Sequence, residues 1–283
     1  MSESIKVAGI VLYNPDYDVL NKSISIIASQ VDMVFLYCNS YIDANRLINQ
    51  DFVLINDSES TNDGIAHALN VIMERALDIG ASWCLFLDQD SIPPNDIISQ
   101  YERYTSLPNA GILTSQVIDR RSQENEERGV VGDSIWEQVS LCITSGSYNN
   151  VFVWKQSGGF DENLFIDYVD WEYCARIRKR GYEIYKINSV VLDHELGRLE
   201  YYELFHHKIP SYNHNAFRKY FITRNSFIIH RAYPEVSEFK HPMLRTLKRL
   251  LIVVAFESDK KNKVKAVIRG IKDYKQIRGS VRG

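Results

Sequence analysis

The sequence predicts an α/β protein, one domain on a mostly parallel sheet followed by amphipathic C-terminal helices. Three observations predict it. Apolar runs of strand length alternate with helix-like stretches from Val7 to Leu87, the signature of β-α units joined by crossovers. The stretch before the last of these runs carries apolar residues at spacings of three and four. Beyond about residue 212 that helical spacing takes over, and Lys and Arg accumulate.

In chain order, VAGIVLY (7–13) reads as a first strand, and the polar span to Gln30 as its crossover. DMVFLYC (32–38) and FVLIN (52–56) follow as strands. Thr61 to Leu77 reads as a helix, since Ile65, Ala68, Leu69, Ile72, Met73, Ala76 and Leu77 share one face and Gly80 stops it. WCLFL (83–87) and GILTSQVI (111–118) are strands, whereas RRSQENEERG (120–129) is polar enough to be a surface loop. After EQVSLCITSG, Asp170 is placed to cap a helix that ends near Gly181 before a further strand. VVLDHELG then closes an apolar run on Asp193 and His194. Near the C-terminus, Met243, Leu244, Leu247, Leu250, Leu251 and Val254 form one stripe and Val264, Val267, Ile268 and Ile271 another, both flanked by Lys and Arg. The expected division is a catalytic-type domain over 1–211 and a helical, basic region over 212–283.

The 283 residues, 45% apolar and 24% charged, exclude a disordered chain and suit a large core. No run approaches the roughly 20 apolar residues of a membrane span, and the N-terminus lacks a basic segment with a small-residue cleavage site. A cytoplasmic protein is expected. Cys38, Cys84, Cys142 and Cys174 are scattered and show no zinc-ligand spacing, so reduced core thiols are expected. The net charge of -3 hides an asymmetry: residues 240–283 hold 13 Lys and Arg against 3 Asp and Glu, leaving 20 basic and 33 acidic before them. Such a split suggests a basic surface with an anionic partner.

The chemistry concentrates where strands end. FLDQDS (86–91) closes a buried-type strand on Asp88 and Asp90, at the carboxyl edge where open α/β sheets gather ligands. Two carboxylates so close repel, and a hard divalent cation, Mg2+ or Mn2+, turns that repulsion into a binding site completed by diphosphate oxygens. Alternatively, Asp88 begins a turn and Asp90 caps the helix after Pro93-Pro94. Asp167, Asp170 and Glu172 fall within six residues beside Leu164-Phe165-Ile166, where one carboxylate suits a general base and another orients hydroxyls. Helix capping and a Glu172–Arg176 pair four residues apart is the structural alternative. His194 is a candidate metal ligand or a hydrogen-bonded histidine at a strand end.

Taken in order, VLYNP (11–15), the YCNS strand end, NDGIAHALN (62–70), FLDQDS, GGFDENLFIDYVDWEYCAR and DHELG resemble family 2 glycosyltransferases, and LDQDS within them resembles the rhamnosyltransferase-like branch. The resemblance covers residue 5 to about 200. It implies a GT-A fold with a single Rossmann-like sheet domain, a nucleotide-diphospho-sugar donor, a divalent metal and inversion at the anomeric carbon. Carried onto this sequence, it places Tyr13, Asn14, Pro15, Asn39, Asn62 and Gly64 around the nucleoside, with Asp88 and Gln89 on the donor. Asp90, with Asp88 and His194, would hold the metal. Asp170, six residues before Arg176, would be the base, with Asp167 as competitor because Val169 stands where the family carries an acid. Glu172 and Arg176 would orient the acceptor.

The implied donor is dTDP-β-L-rhamnose, and the implied acceptor a glycan or lipid-linked saccharide of bacterial cell-surface polysaccharide synthesis. The basic region 240–283 would then meet an anionic membrane surface, or else dock on the catalytic domain or form a homodimer. Three other readings stand against it: a transferase using a UDP-hexose, a catalytically idle nucleotide- or glycan-binding module, and a nucleotidyltransferase. The last lacks a Gly-rich phosphate loop in VLYNPDYD. The acidic body makes nucleic acid a poor partner.

Overall fold

The computed structural model describes residues 5–48, 52–56, 61–119, 134–194, 200–204 and 207–277. The polar stretch 120–129, His206, and the side chains of His194 and His207 lie outside the described residues. The chain divides into two compact units, the first of residues 1–160 and 173–195, the second of 161–172 and 196–283.

The first unit is built on an eight-stranded sheet. Its parallel half comes from β1 (Lys6–Leu12), β2 (Met33–Cys38), β3 (Val53–Ile55) and β4 (Trp83–Asp88), in the order β3-β2-β1-β4. These are the four apolar runs of the sequence, and β1, β2 and β4 are buried almost throughout, as strands covered on both faces must be. The other half is less regular. Antiparallel β7 (Ser147–Asn150) is inserted between β4 and β5 (Ala110–Asp119), followed by β8 (Glu183–His194) parallel to β5 and by β6 (Trp136–Gln138) antiparallel at the edge.

Helices α1 (Tyr17–Ala28), α2 (Ile65–Asp78), α3 (Ile97–Glu102) and α4 (Val151–Ser157) lie wholly in that unit. α2 buries Ala68, Leu69, Ile72, Met73 and Ala76, the face that the spacing predicts. It starts at Ile65 rather than Thr61, because Gly64 adopts φ 87° and holds 61–64 as a loop. α2 also lies close on β1: a Cβ at Gly9 would meet Ile72 Cγ2 at 2.5 Å. Trp83, Tyr148 and Tyr101 stack successively at 5.3 and 5.6 Å between centroids, tying β4, β7 and α3 into the core.

The second unit holds a hairpin of β9 (Glu200–Leu204) and β10 (His207–Ser211), and helices α6 (Ala216–Ala232), α7 (Pro242–Ala255) and α8 (Lys260–Asp273). The helix α5 (Val169–Lys179) has its first turn in this unit and the rest in the first. α5 begins at Val169, so Asp170 is not the expected cap; it sits inside the first turn and accepts a hydrogen bond from the Trp171 amide at 2.8 Å. α6 and α8 cross at Gly270, where a Cβ would lie 2.8 Å from the Tyr220 carbonyl oxygen. Beneath the hairpin, Glu257 is buried and receives Lys219, Lys263 and the Ser211 hydroxyl at 2.7, 2.9 and 2.6 Å. Of the expected apolar stripes, Val267 of α8 is buried, but Met243, Leu244, Leu247, Leu251 and Val254 of α7 face solvent. The face that α7 packs is Pro242, Thr246 and Val253.

Candidate active site

In the first unit the candidate site residues gather at the carboxyl ends of β1, β2 and β4. Parallel register sets these ends side by side, with Leu12 opposite Cys38 and Val11 opposite Asp88. The next residues of each strand therefore share one edge. Tyr13, Asn14 and Pro15 leave β1, Asn39 leaves β2, and Asp88 to Asp90 leave β4.

The edge is cross-linked. Gln89 uses both ends of its amide on the Tyr13 backbone, accepting from the amide at 2.7 Å and donating to the carbonyl at 3.0 Å. The Asn14 amide donates to the Ser40 hydroxyl at 2.8 Å. Asn39, 5% exposed, accepts from the Asp63 amide at 3.1 Å and donates to the Gly64 carbonyl at 3.4 Å. Asn62 accepts from the Gly64 amide at 3.1 Å, and Tyr37 donates to Asp63 at 3.0 Å. Residues spread from position 13 to position 89 are thus locked together, the preorganisation that tight recognition requires.

Asp88 does begin a turn, closed by the Ser91 amide on its carbonyl at 3.0 Å. The turn is held from below: Ser145 accepts from the Asp88 amide at 2.9 Å and shares a 2.7 Å hydrogen bond with the Ser91 hydroxyl, both serines fully buried. Asp88 and Asp90 remain partly exposed. Asp90 does not cap the next helix, which starts only at Ile97 with Asp96 before it. Among the described residues no three His, Cys, Asp or Glu side chains gather as a metal site. Two neighbouring carboxylates nonetheless suit Mg2+ or Mn2+ that takes its remaining ligands from diphosphate and water. A backbone bridge supports the same edge, because the Ile92 amide donates to the Asp193 carbonyl at 2.9 Å and brings the end of β8, hence the His194 backbone, beside the turn.

The acidic segment lies in the second unit up to Glu172. Its backbone is strained: Phe165, Asp167 and Tyr168 all have φ between 63° and 68°, a conformation rare outside glycine and common at functional sites. Asn225 of α6 holds it by donating to the carbonyls of Leu164, Ile166 and Asp167, each at 2.9 Å. The neighbouring Arg224 donates to the carbonyls of Asn163 and Leu164. Arg218 clasps the Asp167 carboxylate through both oxygens, at 3.0 to 3.2 Å. Burial nevertheless raises the Asp167 pKa above the usual aspartate value, against the lowering effect of Arg218. Glu172 is fully buried and accepts from the Tyr233 hydroxyl at 2.7 Å. Arg176, 2% exposed, belongs to the first unit and donates to the carbonyls of Ser157 and Gly159.

No model of a known protein family matches the sequence. The dTDP-rhamnosyl transferase RfbF of Shigella flexneri is 30% identical over 241 residues, covering 79% of this chain and 79% of that protein. The chain belongs to the rhamnosyltransferase-like branch of the family 2 glycosyltransferases. Solved structures agree in fold. S. aureus TarS 1–349 in complex with UDP-GlcNAc superposes with a TM-score of 0.59 at 11% identity, over 98% of this chain and 81% of that one. GalNAc-T7 with UDP, GalNAc and Mn2+ gives 0.61 at 9% identity, over 98% of this chain and 56% of that one. The transferase spans 50% of a longer TarS chain.

Sequence reasoning missed, in the first unit, Ser145 and Ser91 beneath the turn and Asp63 beside Asn39, and, in the second unit, the α6 residues Arg218, Arg224 and Asn225 that hold the acidic segment. A signal existed for the last pair. Arg224-Asn225 interrupts an apolar helix run, FITRNSFII, and buried polar groups of that kind need partners.

Proposed function

We propose that the transferase moves L-rhamnose from dTDP-β-L-rhamnose, with inversion, onto a hydroxyl of a glycan or lipid-linked saccharide in bacterial cell-surface polysaccharide synthesis. The observation that carries this reading is the 30% identity, over 241 residues, to a dTDP-rhamnosyl transferase. The cross-linked edge of β1, β2 and β4 supports a nucleotide site in which Tyr13, Asn14, Pro15, Asn39, Asn62 and Gly64 surround the nucleoside. Much of that set acts through backbone groups fixed by Gln89, Ser40 and Asn39. Asp88 and Asp90, with His194, would hold the divalent cation, which supplies neutralisation of the charge growing on the departing diphosphate.

Asp170 is the base in this reading. Its carboxylate takes the proton of the acceptor hydroxyl as that oxygen bonds to the anomeric carbon and the bond to the diphosphate oxygen breaks, releasing dTDP. Single displacement inverts the centre, so a β-linked donor gives an α-L-rhamnoside. Asp170 is preferred to its competitor on its position six residues before Arg176, while the hold of Arg218 on both oxygens of Asp167 suits a role in tying the segment to α6. Glu172 and Arg176, both buried, suit positioning of α5 rather than contact with sugar. The proposed site of action is the inner face of the cytoplasmic membrane.

Calorimetric titration of dTDP-rhamnose, UDP-glucose, UDP-N-acetylglucosamine and GDP-mannose, with and without Mn2+, tests the donor. Metal-dependent binding of the dTDP sugar, lost in Asp90→Ala, is expected. Selective binding of a UDP sugar would discard rhamnose, and no binding of any donor would favour an idle module.

A further inference from the structure

Among the described residues, one face of α7 is packed and the opposite face is apolar and exposed. Pro242, Thr246 and Val253 pack inside the second unit. On the other side Met243, Leu244, Leu247, Leu251 and Val254 are 54 to 66% exposed. At 3.6 residues per turn these five share a stripe about 100° wide. Scattered apolar residues on a surface are ordinary, but a contiguous helical stripe marks an interaction site.

Charge identifies the partner. Lys248 is exposed on the flank of the stripe, and the next helix, α8, follows after only residues 256–259. The exposed face of α8 carries Lys261, Lys265, Arg269 and Lys272, with Ile268 among them. Residues 240–283 hold 13 basic against 3 acidic side chains. We propose that the exposed stripe of α7 inserts into the interfacial layer of an anionic lipid bilayer, with Lys248 and the basic face of α8 meeting its headgroups.

Dimensions agree. The 14 residues of α7 make a helix roughly 21 Å long, too short to cross a hydrocarbon core of about 30 Å but suited to lying in the interface plane. Among the described residues no helix is long and apolar enough to cross a membrane. A second copy of the chain is the poorer occupant. Five half-exposed side chains fall short of the roughly 800 Å2 per partner that a stable dimer buries, and a two-fold contact would set one basic flank against another. The biological sense of this docking rests on the lipid-linked acceptor proposed above, but its test needs no sugar.

The full chain would be floated with phosphatidylcholine vesicles, with or without one third phosphatidylglycerol, as wild type, as Leu247→Asp/Leu251→Asp, and as Lys248→Glu. Wild type is expected to float with the anionic vesicles and not the neutral ones. The double variant should lose at least tenfold in partitioning, and Lys248→Glu about fivefold, with unchanged thermal melting and donor binding. Flotation that ignores phosphatidylglycerol or the double variant, or that never occurs, would overturn the proposal. So would a wild-type dimer in sedimentation equilibrium that the double variant dissolves, which would assign the stripe to a second copy. Lost flotation with intact donor binding, or the reverse, separates failure of this surface from failure of the transferase reading.

Discussion

Asp167 and Asp170 stand three residues apart and are held differently. Arg218 takes both oxygens of Asp167, whereas Asp170 lies in the first turn of α5 and accepts from the Trp171 amide. Asp170→Asn is therefore expected to lower kcat by about 10²- to 10⁴-fold while leaving the Kd for donor unchanged. A loss of that size in Asp167→Asn alone would reverse the assignment. Ser145 carries a second expectation. Ser145→Ala leaves the buried Asp88 amide without its acceptor, at a cost of about 1–3 kcal/mol, and should raise the donor Kd together with the loss of thermal stability.

His214 gives the same scale a pH dependence. Burial, with Arg218, Lys219 and Lys263 nearby, lowers its pKa from 6.5 to about 4. Between those values the unfolded chain binds a proton that the folded chain refuses. Stability is thus full above pH 6.5 and falls as pH drops toward 4. Glu257, held below its ordinary value by hydrogen bonds from Lys219, Ser211 and Lys263 despite its burial, adds a loss at lower pH. Denaturant melts from pH 7 to 4 should show the first decline, and His214→Gln should flatten it.

Among elements, the crossing of α6 and α8 is the most exacting. The Tyr220 carbonyl and Arg224 amide lie 2.8 and 3.1 Å from a Cβ built at Gly270, and backbone atoms cannot turn aside as a side chain can. Gly270→Ala should cost about 1–3 kcal/mol, despite the better helix propensity of alanine, and should lower the melting temperature without changing donor affinity.

Strands and helices with regular apolar period were legible in the sequence: β1, β2, β4 and the packed face of α2 stand where their spacing predicts. What was not legible had a polar composition or a local backbone cause. β7 reads SYNN and is a strand only because β4 and β5 flank it. The start of α2 follows Gly64, and that of α5 follows three positive-φ residues, neither visible as a period. The α7 stripe was legible as a stripe, but whether it faced core or solvent depended on packing that no one-dimensional pattern contains. At the site, the strand-edge acids were legible because they end apolar runs. The serines and amides that fix them were not, since their partners lie 26 to 76 positions away.

For the whole molecule, the insertion of β7 bears on how the chain folds. β4 is complete at residue 88, yet among the described residues one of its edges pairs only with β7, residues 147–150, and β5 reaches β4 only through that strand. During synthesis the strand Trp83–Phe86, with its apolar side chains, must wait some sixty residues with one row of amides and carbonyls unpaired, a template for other chains. A fragment ending near residue 119 should accordingly aggregate where the full chain does not. Refolding should also slow, as loop closure across such separations precedes any pairing gain, and the yield should fall as concentration rises. The strand that joins the two halves of the sheet is thus also the step at which nascent chains are most exposed to one another.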